Sequence, residues 1–256
     1  ILSDAPIAYW RLNETRGTVA TNLGNLGSSA DGTYDGKLLL GHTGLIATDI
    51  DAAVYFSGGY VSTTNVKGLD QGGPFEERTV ELWFRAETVS GQQVLYEEGD
   101  ASRGLAVYLD GTSLYVTAWN TVDDDGRGEA APWGDPPVYV VAGTPIVSGT
   151  THYVALVMDG DASGTGGTLT GYLDGASFGG ARGVGALWDH SPVNIGVAVD
   201  GIRFHDNTTG DGYAFGGVID EVAVYDRALA RGDIQAHYAA ARGSGAIALE
   251  RMRSAA

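Results

Sequence analysis

The chain has 256 residues, no cysteine, and 32 Asp and Glu against 15 Lys and Arg, for a formal charge of −17. The lack of cysteine excludes disulfides, thiol chemistry and cysteine-ligated zinc or iron–sulfur centres. A field this acidic repels nucleic-acid phosphates and anionic membrane surfaces, and it suits either specific divalent-cation sites or a solvated surface in a salty or extracellular setting. In chain order, Ile7 to Leu12 reads as a first strand, followed by a polar, glycine-broken stretch to Gly36. Asp51 to Phe56 and Tyr60 to Thr63 read as short strands around Gly58-Gly59, a hairpin or close turn. Arg78 to Ala86 is the clearest strand: Val80, Leu82 and Phe84 share one face, and Glu81, Trp83 and Arg85 share the other. One of these faces enters a core while the other meets solvent or a groove.

Val94 to Glu97, Leu105 to Leu109 and Leu114 to Trp119 continue the meander, with Asp110-Gly111 as a two-strand turn signal. Asn120 to Pro137 is acidic, proline-containing and aperiodic, and reads as a surface excursion. Strands resume at His152 to Met158 and Leu169 to Leu173, then as a pair at Val193 to Val199 and Gly201 to Phe204, and finally at Val218 to Tyr225. One helix is predicted from about Ala230 to Arg242, where Ile234, Tyr238 and Ala241 recur at helical spacing. It lacks a serine or threonine cap, which leaves Asp233 as the candidate. No apolar run approaches the roughly 20 residues of a membrane-spanning helix, and no basic-then-apolar leader opens the chain. About a dozen strands with 40 glycines predict an all-β chain, two antiparallel sheets packed as a sandwich.

Three segments carry a family resemblance: Tyr9-Trp10-Arg11-Leu12, Thr79-Val80-Glu81-Leu82-Trp83-Phe84, and Ile219 to Leu229, at whose start Asp220 sits in the run Val218-Ile219-Asp220-Glu221-Val222. Together they resemble the laminin-G-like, concanavalin A-like jelly-roll family over nearly the whole chain. The resemblance implies a two-sheet jelly roll with a short C-terminal helix over residues 1–243, and residues 244–256 as a linker or tail. It further implies an extracellular or cell-surface module within a larger polypeptide, where a cation ties the N-terminal loop to the last strand. Asp220 matches the acidic position of the closing motif, and Trp10 and Trp83 fall at packing positions.

Calcium is the expected cofactor, because it takes six to eight hard oxygens that loops supply well. Asn13, Glu14 and Asp31, in the opening segment, are the expected companions of Asp220. A second candidate begins at Asp159 and Asp161, whose alternating oxygens before Gly164 resemble half of an EF-hand loop; the twelfth position holds Thr170 in place of glutamate. Ordinary turn formation explains the same residues.

Carbohydrate recognition needs a flat ring for the C–H face of a sugar and polar groups for its hydroxyls. Trp119 with Asp123, Trp133 with Asp135, and Trp188 beside Asp189 and His190 offer that combination, although rings of this kind more often serve core or interface packing. A glycoside hydrolase would need two carboxylates roughly 5 to 9 Å apart. Glu81, Glu97, Glu98 and Glu221 are the available acids, without a paired-glutamate strand motif. The expected function is a non-catalytic recognition module for glycans or a surface protein. The alternatives are a spacer or protein-interaction domain, and a polysaccharide hydrolase or lyase.

Overall fold

The computed structural model describes residues 1–121, 133–161 and 166–253, with the backbone alone after residue 243. The first strands are β1 (Ala8–Trp10), β2 (Val19–Ala20), β3 (Gly32–Asp35), β4 (Leu38–Thr43), β5 (Ala52–Ser57) and β6 (Tyr60–Ser62). Then come β7 (Glu77–Ala86), β8 (Gln92–Gly99), β9 (Arg103–Asp110), β10 (Ser113–Asn120), β11 (Trp133–Val141) and β12 (Thr151–Asp159). The last third holds β13 (Gly167–Leu173), β14 (Ala176–Val184), β15 (Val193–Ile195), β16 (Ala198–Arg203), β17 (Thr209–Gly212), β18 (Gly216–Tyr225) and the helix α1 (Arg231–Arg253).

These strands form two antiparallel sheets. One runs β14-β13-β12-β7-β18-β5-β4 with β1 also on β18; the other runs β11-β10-β9-β8-β15-β6-β3-β2. The sandwich core between them takes Val80, Leu82 and Phe84 from β7, Leu105 and Val107 from β9, and Ile219, Val222 and Val224 from β18. Trp10 is fully buried in it and donates its indole N–H to the Ala30 carbonyl at 2.8 Å. That pairing lets a large aromatic ring enter an apolar core without stranding its polar atom.

Strand alternation on β7 sends Glu81, Trp83 and Arg85 to the outer face, as its period-2 pattern predicts. That face is only partly open. Helix α1 lies across it, and Trp83 joins Tyr9, Tyr153, Tyr172, Tyr225, Leu229 and Ile234 in a second apolar cluster. The helix starts where Asp233 reaches back to accept the Ala230 N–H at 3.2 Å. This is half of a capping box, which satisfies one of the backbone donors at a helix start. The helical path continues beyond Gly243, whose φ of 72° and ψ of 154° interrupt it.

Two expected hairpins are built differently. Gly58-Gly59 does not fold β5 onto β6; the two strands lie in opposite sheets, and the glycines carry the chain across the sandwich. Likewise β15 inserts between β8 and β6, while β16 pairs with β17 in a separate ribbon. Short apolar runs specify a strand but not its partner, because pairing is decided by contacts distant in sequence. Gly217 shows one such constraint: a Cβ there would stand 2.2 Å from the Arg85 carbonyl oxygen of β7.

Strand β18 is the organising element. It runs beside β7 for most of its length. Along its other edge it changes partner, pairing through Gly216–Ile219 with β5 and from Val222 to Val224 with β1. Strands β1 and β5 therefore abut end to end, and Asp220 and Glu221 fall at their junction. The register on β7 slips between Asp220 and Ala223, and Glu221 takes a left-handed φ of 55°. Such a conformation in a residue other than glycine costs on the order of 1 to 3 kcal/mol and persists only where the surroundings enforce it.

Candidate metal centre and ligand surfaces

The junction of β1 and β5 gathers acids. Arg11 and Asn13 follow β1, Asp49 and Asp51 precede β5, and Asp220 and Glu221 come from the kink in β18. Oxygens of Asp49, Asp51 and Glu221 lie within 4.8 Å of one another. Asp220 is fully buried; its Oδ2 accepts the Leu45 N–H at 2.8 Å, and its Oδ1 has no hydrogen-bond partner. The cationic group among them is Arg11. Its Nη2 lies 2.5 Å from Asp49 and 2.7 Å from Asp51, and its Nε bonds Glu221 Oε1 at 2.9 Å. The Tyr9 hydroxyl donates to the other Glu221 oxygen.

One guanidinium does not balance four carboxylates. Burial pushes Asp220 up to about 7 despite the Leu45 N–H, and Asp51 and Asp49 add to the rise. Burial also holds Glu221 up to about 7. The Asp51 carboxyl is raised by burial against the pull of Arg11 and Asn13, and neither of its oxygens receives a well-directed hydrogen bond. Hard, under-neutralised oxygens converging from three chain segments, those of Asp220 and Glu221 buried and those of Asp49 nearer solvent, fit a calcium ion, which tolerates irregular loop geometry. Asp49, Asp51, Asp220, Glu221 and the Asn13 side chain are the groups that would hold it, and Arg11 is the internal cation it would compete with.

Of the expected companions of Asp220, the structure brings Asn13 to this junction and keeps two others away. Glu14 accepts the Thr21 N–H at 2.9 Å and the Tyr34 hydroxyl at 2.6 Å, and Asp31 accepts the Asn22 N–H at 2.8 Å. Both stabilise the turns around β2 and β3. Asp49 and Asp51 were absent from the expected set. Their spacing, two carboxylates either side of Ile50 just before a strand, is the local signal that points to them. Asp159 ends β12 and Asp161 forms an isolated bridge to Gly185; positions 162–165 of that loop lie outside the described residues.

The three tryptophans considered as sugar platforms are packed inward. Trp119 is fully buried and donates to the Asp100 carbonyl at 2.8 Å; Trp133 is 3% exposed and donates to the Ala186 carbonyl at 3.0 Å; Trp188 is 7% exposed. None offers a ring face to solvent, because strand alternation and an indole N–H partner, or burial alone, place each inside. Asp135 is exposed and accepts from Asn207 Nδ2 at 3.2 Å, and Asp123 lies outside the described residues.

A second polar group sits under α1. Glu81 accepts the Tyr225 hydroxyl at 2.7 Å, the Tyr153 hydroxyl, and His237 Nδ1 at 3.0 Å, while His237 Nε2 lies 3.1 Å from Asp4. A cavity of about 210 Å³ opens beside it, lined by Glu81, Trp83, Asp49, Glu221 and His237. Burial lowers the affinity of His237 for its proton, but the two carboxylates outweigh burial and hold its pKa above the usual value. A raised histidine pKa stabilises the fold fully below the unfolded value near 6.5 and loses that contribution as pH rises through the folded value. His237→Gln should therefore cost about 1.5 to 3 kcal/mol at pH 6, the worth of hydrogen bonds to a charged group, and much less at pH 8.5. Urea denaturation at the two pH values checks this; an equal cost at both would remove the charge from the account.

With the geometry in view, comparison with known proteins gives the lineage. No curated protein sequence matches the chain. Solved structures similar to it include the binding domain of botulinum neurotoxin DC in complex with rat synaptotagmin II, at 10% identity and TM-score 0.63, covering 94% of this chain and 53% of that one. The same binding domain in complex with SialylT matches at 11% identity and TM-score 0.62, with coverage of 94% and 53%. The botulinum neurotoxin serotype G binding domain matches at 8% and 0.59, with 91% and 50%. The chain thus spans about half the length of these solved chains, and at such identity the likeness establishes the fold. A family model described as the concanavalin A-like lectin/glucanases superfamily, laminin-G type, matches residues 56–235. The sandwich, its closing strand and this match together show that the chain belongs to the laminin-G-type branch of the concanavalin A-like lectin/glucanase superfamily.

Proposed function

We propose that the chain is a non-catalytic, calcium-stabilised extracellular recognition module that binds carbohydrate, carried within a larger adhesin or secreted protein. The observation that carries the calcium part is the junction of β1, β5 and β18, where four carboxylates face one arginine and Asp220 Oδ1 is buried without a partner. A cation there would pin the segments before and after two strands, and so fix the loops at that end of the sandwich. Support for recognition comes from the fold: binding domains containing this sandwich were solved with a protein, rat synaptotagmin II, and with SialylT. Glu81, one of the acids lining the cavity beside α1, is held by two tyrosines and a histidine, a structural use of the group.

A protein partner is the second reading. Edge strand β11 exposes Tyr139 at 42% and Val141 at 40%, an apolar strip on an edge that is unpaired among the described residues, of the kind that docks other chains. A glycan array in calcium buffer, repeated with chelator, separates the readings. Binding to a related set of glycans, lost or weakened on chelation, is the expected result. A folded protein that binds no glycan in either buffer would overturn the carbohydrate reading and leave the protein partner.

A further inference from the structure

On the outer face of the first sheet, two residues along β18 from Asp220, a separate cavity of about 290 Å³ opens around Val218. One row of outward side chains crosses it: Arg85 of β7, Val218 of β18 and Tyr55 of β5 are register partners. His42 stacks on Tyr55 with ring centroids 5.8 Å apart and planes at 25°. The Tyr55 hydroxyl donates to the Glu87 carboxylate, and Ser148 Oγ donates to the Glu87 carbonyl. These two bonds hold Glu87 and Ser148 at the rim. The cavity is at the small end of ligand sites, a space for one sugar ring and not for a chain of them.

Arg85 is the informative group. It is half-buried, it lines the cavity, and among the described residues its guanidinium has neither an ion pair nor a hydrogen-bond partner. In a chain with a formal charge of −17, acids are plentiful, yet among the described residues none closes on this cation. A guanidinium presents a rigid fork of donors that matches a carboxylate in bidentate geometry. Beside it stand an aromatic pair that can take the C–H face of a pyranose and a carboxylate that can accept from sugar hydroxyls.

We propose that this cavity is a subsite for a carboxylate-bearing sugar residue, a uronic or sialic acid, with Arg85 holding the carboxylate. The inference rests on the carbohydrate reading above and specifies its ligand class. The ring packs on Tyr55 and His42, and hydroxyls distant from the carboxylate reach Glu87 and Ser148. This division of labour separates the two signs of charge across one sugar ring.

Calorimetric or NMR titration with methyl glucuronide, methyl sialoside, methyl glucoside and acetate tests it. The acidic glycosides should bind at least tenfold more tightly than methyl glucoside and acetate. Arg85→Gln should erase that preference, Arg85→Lys should retain part of it, and Tyr55→Ala should weaken the acidic glycosides by about the same factor as Arg85→Gln. Thermal melts of each variant confirm that the fold is kept, and amide shifts at Val218 report occupancy directly. Equal binding of the neutral glycoside would overturn the acidic assignment, and acetate binding as well as the glycosides would reduce the site to an anion pocket. Array binding that survives Arg85→Gln unchanged would overturn this subsite alone and leave the carbohydrate reading standing. A wild-type array with no glycan bound would instead overturn the reading on which the subsite rests.

Discussion

Replacing Arg78 with methionine should destabilise the protein by about 3 to 5 kcal/mol, the cost of leaving a buried charge without its partner. Arg78 and Glu98 are both fully buried, with Nε 3.3 Å from Glu98 Oε1. The guanidinium also donates to the Leu69 carbonyl at 2.6 Å and lies 4.6 Å from the centre of the Phe75 ring. Glu98 accepts the Tyr96 hydroxyl at 2.7 Å. His190, with Nε2 3.7 Å from Glu98 Oε1, is a poor replacement for the lost charge: burial holds its pKa down even though Glu98 opposes this, and its Nδ1 is taken by the Trp188 carbonyl at 2.7 Å. Nearby Asp70 is already pushed up to about 7 by burial, and Glu98 adds to that rise while Arg78 opposes it.

The double replacement Arg78→Met with Glu98→Met should recover most of the loss, because exchanging a buried ion pair for apolar groups of similar volume is often neutral. At about 2 to 4 °C per kcal/mol for a chain of this size, the single variant should melt roughly 6 to 20 °C below the parent. A single variant within about 1 kcal/mol of the parent would show that Arg78 is not the counter-charge this end of the core depends on.

The parts of this fold that are visible in the sequence are those set by local pattern. The alternation of Val80, Leu82 and Phe84 places β7, and Ile219 to Tyr225 places β18, because side-chain period depends on neighbours two residues apart. The fate of the second face of β7 was not visible: Glu81 and Trp83 read the same whether water or α1 covers them. Only the recurrence of aromatics at outward positions, Tyr9, Tyr153 and Tyr225 with Trp83, hints at a covering element. The candidate metal centre divides in the same way. Asp220 stands out within Val218-Ile219-Asp220-Glu221-Val222, and Asn13 follows the opening strand. Asp49 and Asp51 meet them because β1 and β5 abut on one edge of β18, a juxtaposition of segments some 170 residues apart that no local pattern encodes. Trp119 and Trp133 were ambiguous for a related reason: the carbonyls of Asp100 and Ala186 that satisfy their indoles come from other parts of the chain.

Adding calcium to chelator-treated protein should raise its melting temperature, and Asp220→Asn should abolish that rise while leaving the chelated protein as stable as the parent or more so. The second half of this expectation follows from the buried carboxylate. Without a cation, a charged Asp220 must stay buried beside Asp49 and Asp51, which is why its pKa is held up to about 7. Asparagine keeps an oxygen for the Leu45 N–H and removes the charge. With calcium at one hundred times its dissociation constant, mass action stabilises the folded state by about 2.7 kcal/mol, a shift of roughly 5 to 11 °C at about 2 to 4 °C per kcal/mol. A pH series supplies an independent reading. Asp220 and Glu221, both held up to about 7, keep protons in the folded state that the unfolded chain gives up near pH 4. The folded state then binds more protons across that window, so the stability of chelated protein falls as pH rises from about 4 to about 7. Calcium, which binds the ionised carboxylates, should flatten that fall, and magnesium, which demands tighter octahedral geometry, should flatten it less. Melting curves that do not respond to calcium at pH 7.5 would leave Arg11 as the cation paired with these carboxylates and would remove calcium from the account of this protein.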